Sequence, residues 1–122
     1  MRNRTTRHVA SIVMGGLAAV AVMAPSLSLA DTGVEHVQGK AVYTKWCAPC
    51  HAPGIIHPGT HALETKYQGV KSGVILEWKD LPASYVEYMV RHGMSVMPQF
   101  RKTEITDSEL KALAAYLSRN TP

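Results

Sequence analysis

Both cysteines of this 122-residue chain fall within five consecutive residues, Cys47-Ala48-Pro49-Cys50-His51, and a histidine completes the run. That pentad limits the fold more than any other feature. A disulfide between residues so close in sequence would remove little chain entropy, so the pair makes a poor staple. No second C-x-x-C is present to complete a zinc site. A helical stripe precedes the pentad, and Ala52-Pro53-Gly54 follows it. A thiol-disulfide oxidoreductase of the thioredoxin kind needs the reverse, a strand before the motif and a helix after it. The surroundings therefore argue against that alternative.

What remains is C-x-x-C-H, the attachment sequence of c-type haem. Two thiols at this spacing, at the end of a helix, reach the two vinyl groups of one porphyrin edge. Each becomes a thioether. His51, the next residue, then lies beneath the iron and offers an imidazole nitrogen. The expected cofactor is one covalent haem c, held by Cys47, Cys50 and His51. The second axial position needs another ligand, and Met97-Pro98 is the best candidate. The Met97 thioether is a soft ligand that favours ferrous iron and raises the potential. Pro98 stiffens the chain that carries it. Met94 is the runner-up, while His57, His61 or His92 would give a bis-histidine haem.

The N-terminus reads as a separate unit. Arg2, Arg4 and Arg7 precede an apolar and glycine run from Val9 to Ala24, Pro25 breaks it, and Ser28-Leu29-Ala30 resembles a cleavage site. This is the layout of a secretory signal peptide over residues 1–30, with one domain over 31–122. The run is short for a membrane span, which takes about 20 residues. No stable membrane insertion is expected once the leader is removed. Without the leader the chain keeps ten basic and nine acidic residues. The basic character of the whole is thus largely the leader's, and it gives no reason to expect nucleic-acid binding. A domain of this size buries a limited core, and a packed haem would supply the missing apolar bulk.

Strand signals are weak, and an all-α fold is expected. One helix is read from about His36 to Cys47, with Gly39, Tyr43 and Cys47 on one side. Glycine inside a helix costs about 1 kcal/mol against alanine, so Gly39 implies close approach of another element. A second helix is read from Pro82 to His92, stopped by Gly93, and a third from Asp107 to Arg119 behind a Thr106/Glu109 capping box. A shorter helix near residues 60–67 would end at Gly69.

These residues in this order resemble a class I cytochrome c: Gly39-x-x-x-Tyr43, the pentad, Met97-Pro98, and a last helix ending Ala115-Tyr116-Leu117. The resemblance implies three main helices and long loops wrapped around one haem, with the first and last helices crossing near Gly39 and Tyr116. It also implies a carbonyl that accepts the His51 Nδ1 proton, for which Pro58 is the best match. Residues 90–107 further resemble the small periplasmic cytochrome subunits of p-cresol methylhydroxylase and eugenol hydroxylase-type flavocytochromes. That implies a periplasmic electron carrier rather than an enzyme, taking electrons from a flavoprotein dehydrogenase. A quinoprotein dehydrogenase is the alternative donor. An apolar patch of Ala48, Pro49, Ile55, Ile56, Val96 and Phe100 would meet the partner, with Arg101 and Lys102 as a basic rim.

Overall fold

The computed structural model describes residues 29–120, so the expected leader lies outside the described residues save its last two positions. Five α-helices follow one another: α1 (Leu29–Val42), α2 (Ala48–His51), α3 (Pro58–Tyr67), α4 (Ala83–His92) and α5 (Asp107–Ser118). Among the described residues no strand forms, and the nearest approach to one is an isolated bridge between Met94 and Met97. The architecture is the expected all-α one. Among the described residues, no helix is long and apolar enough to cross a membrane.

Helix α1 begins earlier than His36, and it does not end in a regular turn. Residues Tyr43–Cys47 form a π-helical turn, in which the Ala48 N–H bonds back to the Tyr43 carbonyl. Two steps of four residues along an α-helix drift by about 80°. A wider turn subtracts from that drift. Gly39, Tyr43 and Cys47 accordingly all stay buried.

Helix α5 is fixed by its start. The Thr106 hydroxyl accepts from the Glu109 N–H at 3.2 Å, and the Glu109 carboxylate accepts from the Thr106 N–H at 2.8 Å. This is the capping box the sequence announces. Leu110, Leu113, Ala114 and Leu117 then form its buried stripe. Helix α4 starts after Pro82 and stops at Gly93, whose φ of 69° suits glycine. Helix α3 ends one residue before the expected stop: Gln68, at φ 47°, takes the left-handed position and its N–H caps the Glu64 carbonyl.

Helices α1 and α5 cross at Gly39. A β-carbon there would lie 2.6 Å from Tyr116 Cβ and 2.8 Å from the Ala112 carbonyl carbon. The glycine is therefore the residue that lets the two backbones meet, as its position in the sequence implied. Tyr43 and His36 both pack on the Tyr116 ring, at centroid distances of 5.9 and 5.1 Å. Ile105 and Leu113, both fully buried, mark the centre of the core.

Candidate haem-binding site

The π turn delivers Cys47 to the interior and leaves Cys50 exposed, with His51 half-buried between core and solvent. Both cysteines are free thiols. Burial, and secondarily the neighbouring Cys50, push the Cys47 thiol up to about 12. A reactive redox cysteine needs the opposite, a thiol whose pKa is lowered by positive surroundings. The thiol-redox alternative therefore lacks its essential feature.

Burial holds the His51 imidazole below its ordinary pKa, so the ring stays neutral, the form that binds metals. Its Nδ1 is sealed from solvent without a hydrogen-bond partner. Pro58 therefore does not accept the Nδ1 proton. The α3 backbone at Gly59 packs against this edge of the ring instead. Nε2 is not sealed and is the nitrogen left for a ligand. Two free thiols, a neutral imidazole and an open Nε2 fit a covalently bound haem.

Met97 comes from a separate segment, the tight loop after α4. The Met94 N–H bonds the Met97 carbonyl at 3.1 Å, and the Met97 N–H bonds the Met94 carbonyl at 2.9 Å. Ser95 turns the loop at φ 54°. A β-carbon on Gly93 would lie 2.5 Å from the Met97 carbonyl oxygen, so glycine is required for this closure too. Beyond Met97, the Phe100 N–H bonds the Val90 carbonyl and Arg91 donates to the Phe100 carbonyl at 3.0 Å. These bonds give the methionine loop one shape. Met97 is half-buried, whereas Met94 is exposed.

One contact that sequence reasoning did not anticipate joins the two segments. Trp46, beside Cys47, meets Phe100 edge-on with ring centroids 5.7 Å apart. Two aromatic residues flanking two motifs were the signal available. Two of the alternative histidines are otherwise engaged. His57 Nδ1 faces the Pro49 carbonyl at 3.0 Å, and His92 stacks on Tyr88 at 4.2 Å. His61 is exposed on α3.

The expected contact patch is partly as read. Ile55, Ile56 and Val96 are 74%, 86% and 84% exposed. Phe100 and Ala48 are half-buried against the core. The basic rim is different: Lys102 pairs with Asp107 at 2.7 Å and Arg101 with Glu104 at 3.6 Å. Each cation sits beside an anion of the same chain, with Lys102 sharing Asp107 with Arg91.

A family model described as cytochrome c oxidase, cbb3-type, subunit III matches residues 35–117. The chain is also 35% identical, over 80 residues, to the cytochrome c subunit of the hydroxylating 4-cresol dehydrogenase of Pseudomonas putida. That alignment covers 66% of this chain and 58% of the relative, so the chain spans less than two thirds of the relative's length. No solved structure matches. With the family match running from α1 through the pentad to the last turn of α5, the chain belongs to the c-type cytochromes, the family whose cofactor is covalently bound haem.

Proposed function

We propose that this chain is a periplasmic electron carrier, exported by a leader over residues 1–30, that accepts electrons from a flavoprotein dehydrogenase. Cys47 and Cys50 would hold the haem as thioethers, and His51 and Met97 would ligate its iron. The observation that carries this reading is the pentad itself: two free thiols and a neutral, buried-edge imidazole delivered together by the end of one helix. Bound haem supplies a one-electron couple. The chain's own residues set where that couple sits and what reaches it. Burial favours the neutral His51 ring, the loop closed at Gly93 presents Met97 in one geometry, and the edge-on contact of Trp46 with Phe100 ties the two segments together. Two protein ligands leave no open coordination position, which suits electron transfer and not substrate chemistry. The relative named above is a dehydrogenase subunit, and the exposed Ile55, Ile56 and Val96 supply an apolar surface for such a partner.

The test compares matured wild type with Met97→Ala and Met94→Ala. Pyridine haemochrome and intact mass should show one covalent haem in all three. Met97→Ala should lose the ferric near-infrared band of sulfur ligation, lower the potential and open the reduced iron to carbon monoxide. If Met94→Ala does this instead, the ligand is Met94. Rapid carbon monoxide binding by the wild type would refute the electron-carrier reading.

A further inference from the structure

Between α4 and α5 the chain runs from Gly93 to Thr106 without a helix. Two turns shape that stretch. The first is the Met94/Met97 pair. The second closes at Arg101, whose carbonyl accepts from the Glu104 and Ile105 N–H groups, both at 3.0 Å. Phe100 lies between the turns, three residues after Met97. It is held on three sides. Its N–H donates to the Val90 carbonyl at 2.8 Å, its carbonyl accepts from Arg91 Nη1 at 3.0 Å, and its ring meets Trp46.

Arg91 does more than hold Phe100. Its Nη2 donates to Asp107 Oδ1 at 2.9 Å. One guanidinium therefore joins the last turn of α4, the exit of the methionine loop and the first residue of α5. A basic residue in the last turn of a helix commonly complements the helix dipole. Arg91 is placed for another task. Its side chain is only 19% exposed, and its two terminal nitrogens reach acceptors on other segments. Asp107 has a second cation, Lys102 Nζ at 2.7 Å, but that side chain is 73% exposed, and an ion pair in solvent contributes little. Serving two acceptors at once suits arginine. Its planar guanidinium carries N–H groups at fixed angles, whereas lysine offers a single nitrogen.

We propose that Arg91 is a positioning residue for the second axial ligand: by tying the Phe100 carbonyl to Asp107 it holds the methionine loop closed and so keeps the Met97 sulfur at the iron. The proposal rests on Met97 being that ligand. A thioether is neutral and soft, and it favours the ferrous state. A loop free to open therefore loses the sulfur more readily from ferric than from ferrous iron, and it does so without the helices coming apart.

The experiment uses matured holoprotein: wild type, Arg91→Gln, Arg91→Lys, Lys102→Met and Met97→Ala. Amide exchange at Phe100, measured against intrinsic rates, reads opening of the loop. The ferric near-infrared band of sulfur ligation, followed through a denaturant titration beside the helical circular dichroism, separates local from global loss. Arg91→Gln should raise Phe100 exchange about tenfold or more, the worth of a hydrogen bond from a charged group. It should also lower the potential, and lose the sulfur band at a denaturant concentration where the helices persist. Arg91→Lys keeps the charge without the fork and should behave as Arg91→Gln does. Lys102→Met removes the other cation from Asp107 and should match wild type. Met97→Ala decides the underlying reading: if the sulfur band survives it, Met97 is not the ligand and the proposal falls with that reading. If Met97→Ala removes the band, yet the Arg91 variants keep the wild-type potential and lose band and helices together, the ligand stands and the clamp is overturned, because a merely structural role predicts that outcome. Should Arg91→Gln yield no holoprotein, Arg91→Lys decides the matter alone.

Discussion

The α1–α5 crossing and the haem-attachment face are held together by different forces. At the crossing the contact is apolar and dry, with Leu113 and Ala114 0% and 1% exposed and the backbones in touch at Gly39. At the attachment face the chain is pinned by hydrogen bonds to backbone carbonyls, while Ile55, Ile56 and Val96 stand in solvent. The first region is a finished protein core. The second is held in shape by hydrogen bonds while its apolar side chains stay open to solvent.

The largest expected effect breaks the finished side. Leu113→Ala should destabilise the holoprotein by about 2–5 kcal/mol, through lost transfer energy and the cavity left behind. Ile56→Ala on the open face should fall within about 0.5 kcal/mol of wild type. Paired denaturant titrations test this, and similar losses at both sites would erase the contrast. Gly39→Val attacks the crossing by overpacking and should cost about 1–3 kcal/mol. An unchanged denaturation midpoint would mean that the helices do not meet there.

A smaller effect sharpens the comparison at the junction of the two regions. Thr106→Ala removes the cap that starts α5 and should cost about 1 kcal/mol, read from the thermal midpoint. The smallest effect concerns acid. The hydrogen bond from Lys102, and then that from Arg91, hold the Asp107 carboxyl below its ordinary value. A depressed carboxyl pKa gives stability that is present above the unfolded value and lost as pH falls through the folded one. The protection of amides in the loop after α4, measured against intrinsic exchange, should therefore fall as pH drops through the lowered pKa of Asp107. Asp107→Asn should exchange at a rate less sensitive to pH in that range. The group is fully exposed, and global stability should scarcely register the change.

Whatever depends on local spacing was legible in the sequence. The pentad, the Thr106/Glu109 box and the stop at Gly93 each rest on residue types whose geometry leaves little choice, whereas Gly39 announced only a close approach and the family resemblance supplied Tyr116 as its partner. The π turn was not legible, because a slip of one hydrogen bond in a continuous helix leaves no compositional mark. Nor was the stop at Gln68, since a glycine stood one residue further on and was the better guess on propensity. The partners of His51, His57, Arg101 and Lys102 depend on where long or flat side chains settle after the backbone is placed. Sequence spacing suggested Pro58 as the acceptor for His51, whereas the start of α3 brings the Gly59 backbone to that edge without offering an acceptor to Nδ1.

The crossing also sets an order of events in the life of the chain. Gly39 and Ala112 are separated by about seventy residues, so their meeting closes a loop that contains the whole pentad. The entropy of closing so long a loop grows only slowly with its length, and it costs time more than stability. Helix α5 follows the pentad in the chain. Until α1 and α5 meet, the core cluster that takes in both Cys47 and Tyr116 is incomplete, and the thiol that ends up buried is still exposed. Closure of that loop buries the first of the two sulfurs and leaves the second at the surface.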